Sequence, residues 1–317
     1  MGIGGGLFWL HFIALEIKLP SITHPIIFYS NQKRDDLKLI ICEALKKAKS
    51  SILIHIYGLT DPDIIAILKE KKLQGLEITI FYDEKASPNL KSEFQEKLEV
   101  FPIHSSGLMH RKILVIDNQL TYLGTANFTP ESLRIHDNLI IGIMHATLAS
   151  HLKCCPTLDF SFQLNDQSVE LYFLPDFEKK ALDRLVHLID TAKESISIAM
   201  FTLTHPLLTQ KLIEAHKRGV EVKIAVDFFT GHGSSCKTLE ELQNEGIKIY
   251  LSQGDALLHH KWALVDGNTL AMGSANWTAA AFKNNQDCLL VLFNLNKAQK
   301  KFLADLWNII ESDCISN

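Results

Sequence analysis

Two hydrophobic patterns alternate along this chain, run their course, and then return. Leu37, Ile40, Ile41, Ala44, Leu45 and Ala48 recur three and four residues apart, as do Leu182, Leu185, Val186, Ile189 and Ala192. That is the spacing of a helix with one apolar face. Each predicted helix follows a short strand, at 26–29 or 169–173, and precedes a continuous apolar run, at 52–57 or 196–201. Such runs fit strands buried on both faces. They end at Thr-Asp-Pro and Thr-His-Pro. A helix predicted after each proline reaches Gly75 or Gly219, either a suitable C-cap, and another strand follows at 78–82 or 222–226.

The similarity extends to the letters. AKSSILIHIYGLTDP at 48–62 matches AKESISIAMFTLTHP at 192–206, and KKLQGLEITIFYD at 71–83 matches AHKRGVEVKIAVD at 215–227, at one constant offset. Whole supersecondary units are therefore duplicated. Strand–helix–strand–helix order predicts an α/β fold in which each unit is a mixed β-sheet flanked by helices. The expected division is an extension at 1–25, a first unit at 26–155, a linker at 156–168 and a second unit at 169–317.

Composition changes this picture little. The chain has 317 residues, is 47% hydrophobic and 21% charged, and carries a formal net charge of −4. That balance argues against broad wrapping of nucleic acid, though not against a local basic groove. The six cysteines form no Cys-x-x-Cys pair, and buried reduced thiols are expected. Residues 7–15 are apolar apart from His11, yet far shorter than the roughly 20 residues of a spanning helix. They are read as a packed or frayed extension, with membrane association the minority reading. The compartment stays open between the cytoplasm and export.

The chemistry lies in a polar signature that each copy carries. The first is His110-Arg111-Lys112, four residues, Asp117, six residues, then Gly124-Thr125-Ala126-Asn127. The second is His259-His260-Lys261, Asp266 and Gly273-Ser274-Ala275-Asn276 at the same spacing. An acid trails each, Asp137 ten positions after Asn127 and Asp287 eleven after Asn276. In a strand, residues two apart share a face, so each His–Lys pair presents an imidazole and an ammonium together. Asp117-Asn118 and Asp266-Gly267 are hairpin-turn signals, so the motif aspartates are expected to organise turns. Gly124 and Gly273 would permit close backbone approach. Two imidazoles, two lysines and two asparagines at one point would suit a phosphate diester. Lys112, Lys261, Asn127, Asn276, Thr125 and Ser274 would bind oxygens, one imidazole would attack phosphorus and the other would shuttle the proton. Asp137 and Asp287 would each orient an imidazole.

These motifs resemble those of the phospholipase D superfamily, whose mark is a pair of His-x-Lys-x4-Asp motifs followed by Gly-Ser-x-Asn; bacterial phospholipase D-like phosphodiesterases are the type. The resemblance runs from about residue 26 onward. It implies two tandem units related by a pseudo-twofold and sharing one active site, so that a monomer suffices. It also implies a phosphohistidine intermediate, with His110 the nucleophile and His259 the acid; spacing alone leaves those two roles open. Thr125 stands where serine is more common, and both trailing acids are Asp where Glu is frequent.

Blander readings apply elsewhere. His260 should face the core, His136 a solvated turn, and His232 a mobile loop at 230–235. His55 and His205 have no counterpart in the partner copy. A metal site built from His110, His259, Asp137 and Asp287 is disfavoured because two lysines repel a cation, so no metal or cofactor is expected. Rim segments are expected at 84–89, 105–109, 228–235 and 254–258. Phe228, Phe229, Leu257 and Leu258 make the second-copy rim partly apolar. That favours phospholipid hydrolysis to phosphatidic acid, with a membrane surface as one setting for the substrate. A metal-independent nuclease comes second, with Phe228 or Phe229 stacking on a base. Phosphatidyl transfer of the cardiolipin-synthase kind and a non-catalytic phosphate-binding module complete the alternatives.

Overall fold

The computed structural model describes residues 17–94, 98–104 and 106–316. The apolar stretch at 7–15 lies outside them, as does Ser105 of the expected rim. Seven strands build the first sheet: β1 (Ile26–Tyr29), β2 (Ser51–Ile56), β3 (Glu77–Asp83), β4 (Glu99–Ile103), β5 (Lys112–Ile116), β6 (Leu120–Gly124) and β7 (Ile140–Met144). Their spatial order is β1-β7-β6-β5-β2-β3-β4, parallel across β2-β3-β4 and antiparallel elsewhere.

The second sheet repeats that order. Its strands are β8 (Phe160–Leu164), β9 (Gln167–Phe173), β10 (Ser195–Met200), β11 (Glu221–Val226), β12 (Lys248–Ser252), β13 (Lys261–Val265), β14 (Thr269–Gly273), β15 (Cys288–Leu292) and β16 (Cys314–Ser316). They run β16-β12-β11-β10-β13-β14-β15-β9-β8, so β9 to β12 take the places that β1 to β4 hold in the first sheet, and β8 and β16 are added edges. The stretch expected as a bare linker thus contains β8, which pairs with β9 in a tight hairpin. The sheet gains an edge there because Phe160, Phe162 and Leu164 have apolar surface to bury.

Helices α1 (Leu37–Lys47) and α2 (Pro62–Leu73) cover the outer face of the first sheet, and α6 (Lys180–Thr191) and α7 (Pro206–Lys217) that of the second. The short α3 (Leu90–Glu93) and α4 (Pro130–Arg134) belong to the first unit, with α5 (Ala146–Cys154) closing it. In the second, α8 (Phe228–His232), α9 (Cys236–Asn244), α10 (Ala279–Lys283) and α11 (Lys297–Asp313) complete the set. Prolines at the first helical position start α2 and α7, where the missing N–H costs nothing, and Asp61 caps α2 by accepting from Asp63 and Ile64 N–H. Both end before a glycine with positive φ, Gly75 at 88° and Gly219 at 94°.

The inner faces of the two sheets share a third apolar core. Ile113, Val115, Leu123 and Ile141 of the first meet Trp262, Leu264, Met272 and Leu290 of the second, with Leu148 and Leu152 of α5 and Leu303, Leu306 and Trp307 of α11 filling the flanks. Each sheet is therefore buried on both faces, which is why its central strands read as unbroken apolar runs rather than alternating ones. The cysteines are all unpaired, but only Cys42 and Cys288 are buried and Cys154 is exposed, so the expectation of buried thiols holds for two of six. The expected mobile loop at 230–235 is instead the end of α8 and the junction to α9, pinned where fully buried Ser235 accepts from Leu203 N–H.

Candidate active site

The two motifs meet where the units meet. His110 and His259 lie two residues before the first residue of β5 and of β13, and the loops that carry them pair across the unit boundary. His110 N–H donates to Gln286 O at 2.8 Å and Gln286 N–H to Leu108 O at 2.8 Å; on the other side Asp137 N–H donates to Leu257 O at 2.9 Å. Short parallel bridges result, Met109 with Gln286 and Asp137 with Leu258. The next residue along each loop is then brought against the next one on its partner. Asp287 Oδ1 lies 2.8 Å from His110 Nδ1, and Asn138 Oδ1 lies 3.0 Å from His259 Nδ1. Both imidazoles are thus oriented by the opposite unit.

Asn138, not Asp137, takes the place behind the second imidazole, and the expectation for Asp137 is corrected. The bridge to Leu258 turns the Asp137 side chain away toward Asp227 and Asp313, where burial and those two carboxylates push its pKa up to about 7. The sequence does carry the signal. His110 and His259, and Asn127 and Asn276, are each 149 positions apart, and the same step back from Asp287 lands on Asn138.

Thr125 and Ser274 are also corrected. Neither faces a substrate: both are fully buried, and their hydroxyls donate to Asn138 Oδ1 at 2.7 Å and Asp287 Oδ1 at 2.6 Å. Each also accepts a backbone N–H, from Leu139 at 3.0 Å or Cys288 at 3.0 Å. They hold the groups that hold the imidazoles. Gly124 and Gly273 make room for this: a Cβ would lie 2.3 Å from Leu139 O or 2.2 Å from Cys288 O. Asn127 and Asn276 are half-buried at the same ends of the strands, each with a buried Oδ1 that has no partner.

Lys112 and Lys261 are buried beside the imidazoles. Each Nζ donates to the backbone carbonyl of its own histidine, His110 O at 2.6 Å or His259 O at 2.8 Å, and lies 5.1 Å from an aromatic centroid, Tyr57 or Phe201. Those rings also contact the imidazoles edge-on, Tyr57 with His110 at 5.1 Å and Phe201 with His259 at 5.2 Å. Sequence reasoning misses this aromatic pair, although both residues directly follow strands of the duplicated segment. Among the described residues no carboxylate forms a salt bridge with either lysine. Burial, the largest cause, lowers the Lys112 pKa to about 7. It takes Lys261 well below its ordinary value too, with Lys112 adding repulsion. Burial likewise depresses both imidazoles, helped by Lys112 at His110 and by Lys261 and Lys112 at His259. Asp287 stays ionised: burial opposes the charge, but His110, Lys112 and the Ser274 hydroxyl outweigh it. The pocket gathers cationic groups whose charged forms are poorly solvated, so a bound anion would favour those charged forms.

Asp117 and Asp266 sit at the far ends of β5 and β13, away from the imidazoles. Asp117 accepts N–H bonds from Lys49, Ser50 and Ser51, and Asp266 from Lys193, Glu194 and Ser195. Each leads a turn of two positive-φ residues, Asp117-Asn118 and Asp266-Gly267. The other histidines lie outside the pocket or at its edge. His260 is buried and bonds Gln32 at 2.8 Å; His55 stacks on Phe81; His205 packs on Phe282; His232 is exposed. His136 is half-buried, its ring 6.1 Å from that of His259, closer to the chemistry than a solvated turn implies. Leu258 is core rather than rim, because the bridge to Asp137 draws it inward; Phe229 is 58% exposed. Among the described residues there is no cluster of three or more His, Cys, Asp or Glu suited to a metal, and no helix long and apolar enough to cross a membrane. A separate cleft of about 930 Å³, lined by Pro20, Ile26, Gln119 and Phe302 among others, lies toward the opposite ends of the strands and holds neither imidazole nor either motif lysine.

Comparison with known proteins agrees with this architecture. A family model described as "Cardiolipin synthase, PLD-like domain" matches residues 41–154 and again 185–310. The chain is 31% identical over 131 residues to a mitochondrial cardiolipin hydrolase of Xenopus laevis, covering 40% of this chain and 61% of the relative. It is 36% identical over 104 residues to a phospholipase D of Rickettsia bellii, covering 33% of this chain and 51% of that protein. The matches thus span only about half to three fifths of the length of these relatives. The crystal structure of phosphatidylserine synthase from Haemophilus influenzae superposes with a TM-score of 0.75 at 16% identity, over 95% of this chain and 89% of that one, a likeness of fold. With a family model matching both units, and both units carrying the His–Lys signature, the chain belongs to the phospholipase D superfamily, in its cardiolipin synthase, PLD-like domain family.

Proposed function

We propose that the protein is a phospholipase D-type phosphodiesterase that hydrolyses the head-group phosphodiester of phospholipids, releasing phosphatidic acid and an alcohol. One observation carries this reading: two buried lysines that form no salt bridge among the described residues flank two imidazoles held by opposite units. Such a pocket fits a group that is anionic, tetrahedral and in need of both a nucleophile and a proton. Lysines and asparagine amides would bind the non-bridging oxygens and stabilise the charge that builds in the transition state. One imidazole attacks phosphorus to give a phosphohistidine; the other protonates the leaving alcohol and then deprotonates water. No step calls for a metal.

The relatives' names, cardiolipin hydrolase and phospholipase D, support a lipid substrate over a polynucleotide. So do apolar side chains exposed beside the site loops: Leu108, Ile135 and Phe229, at 37%, 56% and 58%. The test is a side-by-side assay in EDTA offering cardiolipin, phosphatidylcholine and single-stranded DNA, with the His259→Ala protein as blank. Phosphatidic acid or phosphatidylglycerol from the lipids, absent from the blank, is the expected result. Shortened oligonucleotide with intact lipid would transfer the same site to nuclease chemistry, and turnover only after a divalent ion is added would remove the metal-free mechanism.

A further inference from the structure

The imidazoles, lysines and asparagines of the two motifs leave one polar ring at the pocket without a role, that of His136. It is half-buried, and its centroid lies 6.1 Å from that of His259. The main chain around it is fixed on both sides. His136 N–H donates to Glu131 O at 3.0 Å, and its carbonyl accepts from Asn31 Nδ2 at 2.6 Å and from Asn138 Nδ2 at 3.1 Å. The next residue is held too, by the Asp137 N–H bond to Leu257 O at 2.9 Å. The backbone therefore places the ring at the edge of the pocket. Neither ring nitrogen has a hydrogen-bond partner among the described residues, and neither is sealed from solvent.

Nothing equivalent stands beside the other imidazole. The 149-residue step that relates the two copies carries His136 to Asn285, whose side-chain oxygen accepts from Leu108 N–H at 3.0 Å and is spent on its own loop. The polar lining is thus extended on the His259 side alone. Burial, the largest cause, lowers the His136 pKa; Glu131 opposes the shift and Lys261 adds to it. The neutral imidazole that results near pH 7 offers one N–H donor and one nitrogen acceptor. That pair matches a hydroxyl, which also donates and accepts. It has nothing to bond in an alkyl or trimethylammonium group.

On the phospholipase D-type reading, the departing alcohol lies within hydrogen-bond reach of the imidazole that protonates it. Family resemblance gives that role to His259, so the substituent beside His136 is the head group. We propose that His136 is a substrate-binding residue that selects hydroxyl-bearing head groups, of which glycerol is one, over head groups that carry no hydroxyl. One hydrogen bond of this kind corresponds to about tenfold in kcat/KM. The effect falls mainly on KM, because the hydroxyl takes no part in the bonds that form and break.

The experiment compares phosphatidylglycerol with phosphatidylpropanol, which has the same charge and carbon skeleton but lacks the head-group hydroxyls. Both are offered in the same detergent micelles at pH 7, and release of phosphatidic acid is read. Wild-type protein should favour phosphatidylglycerol about tenfold in kcat/KM. In His136→Phe, which keeps a ring but no hydrogen-bonding atom, the ratio should fall to about one. In His136→Gln, which restores a donor and an acceptor, the preference should return in part. Each ratio is taken within one protein, so a loss of correctly folded material cancels. A residue that only packs against His259 or tunes it would slow both lipids alike and leave the ratio at its wild-type value. That result, or a wild-type ratio of one, would overturn the assignment. Phosphatidic acid from neither lipid with wild-type protein would instead remove the lipid reading beneath it, and the role of His136 with it.

Discussion

Buried lysines that form no salt bridge among the described residues make the affinity for anions a function of pH, and the size of the effect follows from the pocket. Lys112 is 2% exposed, its ammonium bonded to one backbone carbonyl, and its pKa is about 7. A bound dianion would restore the charged form and return that pKa toward its ordinary range. Apparent affinity then scales with the fraction of protein already protonated, which falls from one half at pH 7 to roughly one per cent at pH 9. Sulfate, whose charge is constant over that range, should therefore bind about fiftyfold more weakly at pH 9 than at pH 7. Lys261, also depressed, would steepen the trend. Without an anion the sign reverses for stability. The folded pKa lies below the unfolded value of 10.5, so the unfolded chain holds more protons between about pH 7 and 10.5, and these lysines destabilise the fold less as pH rises through that window. Isothermal titration in buffers of different ionisation enthalpy would read both the affinity and proton uptake on binding. Equal sulfate affinity at pH 7 and 9 with no proton uptake would refute the reasoning.

Other consequences can be checked singly. Asp117→Ala should cost about 2 kcal/mol in urea unfolding, since three N–H groups lose their acceptor, while sulfate affinity stays unchanged because the residue lies at the other end of β5. Gly124→Ala should cost about 3 kcal/mol or abolish soluble expression, because the new Cβ meets backbone at 2.3 Å, whereas Gly75→Ala, with open space but φ of 88°, should cost only about 1 kcal/mol. Ser274→Ala should lower kcat about tenfold with little change in KM, as Asp287 loses one of the two hydrogen bonds on Oδ1 and orients His110 less well.

Much of this is legible in the amino-acid sequence alone. The duplication, the strand and helix positions and the two His–Lys pairs can be read because they depend on local periodicity and on repetition, both visible in one dimension. The features that escape depend on contacts between the copies. Asp137 attracts notice because it is an acid, but the cross-unit bridge selects by position, and one residue's difference in a strand turns a side chain to the opposite face. Thr125 and Ser274 point to substrate because a hydroxyl beside Asn127 and Asn276 can bind phosphate. Their burial against Asn138 and Asp287 depends on the return strand, which spacing does not display. Tyr57 and Phe201 look like ordinary strand-end aromatics until the lysines are placed over their rings.

The crossed wiring also explains why the two halves could diverge. In an assembly of two identical units, a change at the position behind the imidazole alters both sides of the site at once, so its two histidines stay alike until substrate binds. Here the units are joined in one chain and can change separately. The differences fall beside the reacting groups: Asn138 against Asp287, Phe201 against Tyr57, His260 against Arg111. A nucleophile and a proton donor need opposite protonation states at the same pH, and a site made of identical halves must break its symmetry anew in every turnover. A carboxylate behind one ring and an amide behind the other builds that asymmetry into the resting protein.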